Sequence, residues 1–357
     1  MNKRIESIRE ILAVNKLDGL MITKEQNWRY LSGFTGSSAV LILTANDNYL
    51  ITDFRYLEQA AAEAGGFQVI KPQALVEAAV VDLVSRLGLK RIGFEDDNLT
   101  YRTYKTFKEK LSGVELVPAH RQLEPLRWVK DLQETEAISK AAGIADAAFD
   151  YILDFIKPGV RESEIALEID YYMRRKGAEK SAFDIIVASG SRAALPHGVA
   201  SDKELQPGEF IVLDFGAVYT GYHSDMTRTV ILGKPDAKQR EIYRLVLQAQ
   251  ERAIAVLKPG VKCSEVDLAA RDLISVEGYG ANFGHGLGHS VGLEIHEKPS
   301  LAPRDDTVLE AGMVLTVEPG VYLSGWGGVR IEDLVLVTPG GCEILSKSPK
   351  QLIELQT

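Results

Sequence analysis

Hydrophobic positions recur along this chain in two successive patterns. Over residues 5 to 16, Ile5, Ile8, Ile11 and Leu12 share one helical face, and Gly19-Leu-Met-Ile-Thr then reads as a strand. Ala39-Val-Leu-Ile-Leu and Tyr49-Leu-Ile-Thr read as the arms of a hairpin, joined across Asn46-Asp-Asn, whose side chains tolerate turn geometry. Helical stretches near 56–64, 75–87 and 101–112 alternate with strands near 67–71 and 91–95. That alternation predicts a smaller α/β domain, placed at residues 1–122.

Between His120 and Asp131, Pro125, several charges and a loss of periodicity mark a boundary. A long helix is expected over roughly 132–156, ended by Lys157-Pro158-Gly159, with a second from about Ser163. Beyond Phe183 strands and loops dominate, interrupted by helices near 236–257 and 264–277. Helices segregated from antiparallel strands in this way predict an α+β domain over 132–357. Within it, Asp214-x-Gly216 followed by Gly221-Tyr222 returns at the same relative positions as Glu318-x-Gly320 followed by Gly325-Trp326. A duplicated half would leave such an echo, each copy delivering a carboxylate; chance similarity of two strand-turn segments is the plain alternative.

At 357 residues the chain exceeds what one core usually fills, in keeping with two domains. A formal net charge of −9 with no basic stripe argues against a nucleic-acid surface. No apolar run approaches membrane-spanning length, and the start Met1-Asn-Lys-Arg-Ile-Glu turns amphipathic rather than apolar, so a cytoplasmic location and no membrane partner are expected. Cys263 and Cys342, far apart and without CxxC spacing, are expected as reduced thiols.

The residues that break the apolar pattern are acidic. Asp214 in Phe210-Ile-Val-Leu-Asp-Phe-Gly, Asp225 before Met226-Thr-Arg-Thr-Val-Ile, Glu318 in Val314-Leu-Thr-Val-Glu-Pro-Gly and Glu332 in Gly328-Val-Arg-Ile-Glu-Asp-Leu-Val all lie in runs that read as strands. A buried unpaired carboxylate costs several kcal/mol, so each must protonate, find a cation or ligate metal. Only Arg228 and Arg330 lie close in sequence, too few to serve all four. Hairpins turning at Tyr219-Thr-Gly-Tyr and at Gly325-Trp-Gly-Gly would bring the carboxylates together in pairs. With His289 from Phe283-Gly-His-Gly-Leu-Gly-His, the set carries one imidazole and a charge of roughly −4, which suits two divalent cations better than one.

In order and spacing, Asp214, Asp225, His289, Glu318 and Glu332 resemble the ligand set of the pita-bread metallopeptidases, the fold shared by methionine aminopeptidase, aminopeptidase P and prolidase. The flanking words Pro196-His-Gly, Gly221-Tyr-His-Ser-Asp-Met-Thr-Arg-Thr, Gly286-Leu-Gly-His, His296-Glu-x-Pro, Thr316-Val-Glu-Pro-Gly and Val329-Arg-Ile-Glu-Asp are similar too, from about residue 133 onward. Tyr30-Leu-Ser-Gly-Phe-Thr-Gly-Ser and Asp53-Phe-Arg-Tyr resemble the creatinase-type N-terminal domain of the proline-specific members.

The resemblance implies two divalent metal ions, bridged by Asp225 and Glu332, with Asp214 completing one site and His289 with Glu318 the other. Mn2+ or Co2+ fits an oxygen-rich site with one imidazole, Zn2+ and Fe2+ being the alternatives. It implies further that the metals activate a water and Glu318 accepts and shuttles its proton. His296 would stabilise the oxyanion, while His197 and His285 line the site and contact substrate. Arg330, on the same strand face as Glu332, would orient the metal carboxylates. His120 and His223 are expected to be structural. A homodimer is also implied, in which Asp53 to Tyr56 approach a neighbour's cleft; a turn packing within its own domain is the plain alternative.

Proline-containing peptides are the substrates so implied. Proline makes the scissile amide tertiary and calls for a flat apolar wall, for which Phe183, Ile295 and Tyr322 are candidates. In many prolidases an arginine follows His-Glu-x-Pro and pairs with the dipeptide carboxylate; here Ser300 stands there, after Lys298-Pro299. Without that bidentate partner the expectation leans to an Xaa-Pro aminopeptidase. The alternatives are an Xaa-Pro dipeptidase using Lys298 or Arg304, and a non-catalytic peptide-binding module of the same fold.

Overall fold

The period-two runs at the start of the chain pair into one sheet. In the computed structural model, which describes residues 3–357, six strands lie in the order Gln68–Ile70, Asn48–Ile51, Val40–Thr44, Gly19–Ile22, Arg91–Phe94 and Glu115–Pro118. The Asn46-Asp-Asn hairpin forms as an antiparallel pair, Gly19–Ile22 joins it antiparallel, and the remaining pairings in the sheet are parallel. Val80, Leu83 and Val84 of helix Val76–Leu87 and Phe107 of helix Tyr101–Lys110 bury against Met21, Ile42 and Ile92. After His120 the chain is not irregular as expected: a short helix, His120–Leu123, runs into a 3-10 turn, Glu124–Arg127. Pro125 fits there because an N–H near a helix start has no partner to lose. One compact unit ends at Arg127 and the other spans Trp128–Thr357.

The second unit is built twice over. Each half opens with two helices, Leu132–Leu153 with Glu162–Arg175 and Ala237–Val256 with Cys263–Val276. Asp131 and Asp236 cap the first helix of each half, accepting from the N–H of Glu134 (3.0 Å) and Gln239 (2.8 Å), whose side chains return the bond. The Pro158-Gly-Val and Pro259-Gly-Val turns then bond alike. Gly159 and Glu162 donate to Leu205 O and Lys203 O, while Gly260 and Cys263 donate to Leu309 O and Thr307 O. The echo between Asp214 and Glu318 therefore has a counterpart in the backbone.

Strands from each half carry the acidic residues. One sheet runs Glu354–Leu355, Met226–Leu232, Phe210–Phe215 and Ile186–Ser189. The other runs Glu297–Leu301, Gly288–Ser290, Val314–Val317, Asp333–Thr338 and Gly341–Ile344, beside the hairpin Gly320–Leu323 and Gly327–Arg330. Of the four carboxylates read as strand residues, only Asp214 lies within one; Asp225, Glu318 and Glu332 sit at strand junctions. Pro319, which has no N–H for a ladder, explains the break after Glu318. The sheets are stitched where these breaks meet: Glu332 N–H donates to Thr227 O, and Thr229 Oγ1 to Arg330 O at 2.8 Å.

Cys263 and Cys342 are free thiols, and burial pushes the Cys263 thiol up to about 12. No described helix is long and apolar enough to cross a membrane.

Close backbone approach fixes two glycines beside the carboxylates. A Cβ on Gly216 would lie 1.8 Å from Ser224 O, and one on Gly288 2.0 Å from Thr316 O, whereas a Cβ on Gly143, exposed mid-helix, meets nothing within 4 Å. Gly216→Ala should therefore destabilise by about 1–3 kcal/mol. Gly143→Ala should stabilise by about 0.5–1 kcal/mol. Denaturant midpoints measure both, and equal midpoints would refute the packing argument.

Candidate metal centre

Five side chains from the two halves converge. Carboxylate oxygens of Asp214, Asp225 and Glu332 lie within 4.8 Å of one another, and all three residues are buried. His289 Nε2 stands 3.5 Å from both Asp225 Oδ2 and Glu318 Oε1, closing the set. These two contacts are not ion pairs, because burial holds the imidazole below its ordinary pKa. His289 Nδ1 bonds Ser290 O at 3.0 Å, so Nε2 presents its lone pair to the carboxylates. Asp214 Oδ1 and Glu332 Oε1 are buried with no hydrogen-bond partner. Acceptors that face one another unpaired in this way fit divalent cations, which oxygen and imidazole donors satisfy together. Burial first, and mutual repulsion second, hold the carboxyls of Asp225 and Glu332 well above their ordinary range. Glu318 is raised as well, chiefly by burial.

Arg330 orders this cluster. Its Nη2 donates to Asp214 Oδ2 at 2.6 Å, Nε to Thr227 Oγ1 at 3.0 Å, and Nη1 to the Tyr322 hydroxyl at 2.8 Å and Pro196 O at 3.2 Å. Thr227 passes the order on, donating its own hydroxyl to Glu332 Oε2 at 2.7 Å. Thr316 does the same for Glu318 Oε1 at 3.0 Å while accepting from His289 N–H. Tyr322 pairs with His285 Nε2 at 2.9 Å, and His285 Nδ1 is 2.8 Å from Gly286 O, so the ring accepts from the tyrosine. Burial keeps His285 below its usual pKa, consistent with that neutral form.

A cavity of about 590 Å³ opens over the cluster. Its lining holds His197, His285, His289, His296, Phe183, Ile295 and Ser300 along with the four carboxylates and Arg330. The rings of His289 and His296 are 4.4 Å apart. Tyr322, expected as apolar wall, is absent from the lining: its hydroxyl is held by Arg330 and His285, so it works as a polar link. Arg228 pairs with none of the four carboxylates: its Nη2 pairs with buried Asp333 at 2.7 Å, while its Nη1 donates to the backbone carbonyls of Glu332 and Thr227. Outside the lining, His223 Nδ1 bonds Gly292 O at 3.1 Å, and His120 Nδ1 bonds Asp96 at 2.8 Å. Lys298 is exposed beside Asp305 and Arg304 is exposed, and neither lines the cavity. Sequence reasoning missed Thr227 and Thr316. Their place two residues from a carboxylate, on the same strand face, was the available signal.

Comparison with known proteins bears on this geometry. Residues 136–339 match the model of metallopeptidase family M24, and residues 4–129 that of the creatinase/prolidase N-terminal domain. The chain belongs to metallopeptidase family M24. It is 41% identical over 354 residues to the Xaa-Pro dipeptidase of Pyrococcus furiosus, covering 99% of this chain and 100% of that protein. A solved Xaa-Pro dipeptidase from Bacillus anthracis is similar at a TM-score of 0.97 and 48% identity, with 99% of each chain covered. An X-Pro aminopeptidase from Thermotoga maritima MSB8 is similar at 0.91 and 38%, again over 99% of each. Membership makes the protein a metal-dependent hydrolase of the pita-bread fold, with a creatinase-type N-terminal domain.

Carboxyls raised in the fold lose stability as pH climbs past their unfolded values, about 3.9 for Asp and 4.3 for Glu, towards their folded ones. At pH 7 the metal-free M24 protein therefore bears this cost, and Asp225→Asn and Glu332→Gln should each raise its melting temperature. Added Mn2+ should stabilise the wild type and neither variant. Lower metal-free melting temperatures in both variants would contradict the electrostatic account.

Proposed function

We propose that the protein is an Xaa-Pro dipeptidase acting through a dinuclear metal centre. The observation that carries this reading is full-length similarity, in both directions, to proteins named Xaa-Pro dipeptidase at 41% and 48% identity. The aminopeptidase expectation rested on a single position, Ser300, and those relatives outweigh it. Ser300 does line the cavity, and the one guanidinium beside it, Arg330, is already engaged by Asp214. The dipeptide carboxylate is accordingly assigned to His197, an exposed imidazole of the lining.

Asp225 and Glu332 are proposed to bridge two cations, Asp214 to complete one site, and His289 with Glu318 the other. When bound, such cations lower the pKa of a coordinated water and polarise the scissile carbonyl. The donor set, all oxygen but for one imidazole, makes Mn2+ the first choice. Glu318 takes the proton and returns it to the departing proline nitrogen; its burial, which raises its carboxyl, suits a group that must hold a proton in passing. His296 donates to the oxyanion, and Phe183 and Ile295 form the wall against the proline ring. His285, fixed by Tyr322, contacts the substrate. A homodimer belongs to the same proposal.

The purified protein with Mn2+ should cleave an Xaa-Pro dipeptide faster than the matching Xaa-Pro-Yaa tripeptide. Clear preference for the tripeptide would overturn this choice in favour of the aminopeptidase. Asp225→Asn and Glu332→Gln should each abolish turnover with the far-ultraviolet spectrum unchanged.

A further inference from the structure

The second unit starts with an extended stretch whose side chain at Lys130 turns inward. The Lys130 N–H donates to Gly312 O at 2.9 Å, and its side chain is 1% exposed. The ammonium lies 3.1 Å from Ser290 Oγ and 3.2 Å from Glu297 Oε2, the latter on a side chain only 3% exposed. Burying such a pair costs several kcal/mol per ion before their attraction returns it, and apolar residues of similar size would fill the space more cheaply.

What the pair grips gives it a purpose. Ser290 directly follows His289, and Glu297 directly follows His296. The strands carrying them pair irregularly: His289 faces Ser300 while Ser290 faces Glu297, with a register shift between His289 and Ser290. A bulge leaves its extra residues unpaired in the ladder, so backbone bonds alone do not fix the two histidines relative to each other. Lys130 spans that point. Ser290 Oγ spends its proton on Val314 O at 2.8 Å, leaving a lone pair for the ammonium. Glu297 Oε1 accepts from Glu294 N–H at 3.1 Å, closing the loop that carries His296.

We propose that Lys130 is a positioning residue: its buried ammonium, bridging Ser290 and Glu297, sets the spacing of His289 and His296 across the bulge. The inference rests on the reading above, in which His289 ligates metal and His296 meets the oxyanion. Lys130 itself lines no part of the cavity and acts through its two partners.

The test uses the full-length protein. Lys130→Met alone would leave the buried Glu297 carboxylate without this ammonium, so both charges are removed in Lys130→Met/Glu297→Gln, with Ser290→Ala as a milder cut. Mn2+ affinity is measured by calorimetric titration of metal-free protein, melting temperature without metal, and kcat and KM on an Xaa-Pro dipeptide. The double variant should melt close to wild type yet bind Mn2+ about ten- to a hundredfold more weakly, with kcat reduced and KM little changed. Ser290→Ala should shift both in the same direction by less. Wild-type Mn2+ affinity in the double variant overturns the proposal. So does loss of folding in both variants, which would make the contact structural only. If the wild type binds Mn2+ but cleaves no Xaa-Pro peptide, the dipeptidase reading fails while the titration still judges Lys130.

Discussion

One buried guanidinium decides how the site is held. All three nitrogens of the Arg330 side chain are spent, on Asp214, on Thr227, and on Tyr322 with Pro196. Through these it reaches Glu332 by way of Thr227, His285 by way of Tyr322, and the chain neighbour of His197. A planar fork can do this, whereas a lysine ammonium would be a point charge without the geometry. Arg330 cannot neutralise the cluster, however: it offsets one carboxylate, and Asp225, Glu318 and Glu332 keep their cost of burial. The deficit that remains is the physical reason for cations.

The duplicated architecture explains how one chain gathers so much charge without losing its core. Each half contributes two helices, the first of them capped by an aspartate, and a set of strands whose apolar faces pack on those helices. Asp225, Glu318 and Glu332 fall where strands end or break, while Asp214 lies within its strand, one residue from the end. Arg228 and Asp333 form a parallel device next door, with Asp333 also accepting from Gln250 at 2.8 Å and Lys350 at 2.8 Å. That fully paired network contrasts with the orphaned oxygens of Asp214 and Glu332 a residue or two away. Unpaired acceptors mark the place for a ligand; paired ones mark structure.

Much of this was legible in the sequence because it rested on local rules. Helix periodicity placed the paired helices of each half, and acidic residues in apolar runs pointed to the carboxylate cluster. What the sequence did not show was non-local. Whether Tyr322 offers its ring or its hydroxyl depends on register: it faces Gly328, and so has no opposing side chain. Arg228 is near Asp225 in sequence, yet it pairs with Asp333. Lys130 and Glu297 are far apart in the chain, and only the fold brings them together. The leaning on substrate choice rested on one position, Ser300, whereas full-length similarity to proteins named Xaa-Pro dipeptidase favours the alternative.

Anomalous scattering from crystals grown with Mn2+ tests the central claim most directly. Two peaks about 3.5–4 Å apart, with Asp225 and Glu332 each contacting both, are the expected result. A single ion, or manganese bound away from these carboxylates, would contradict the account.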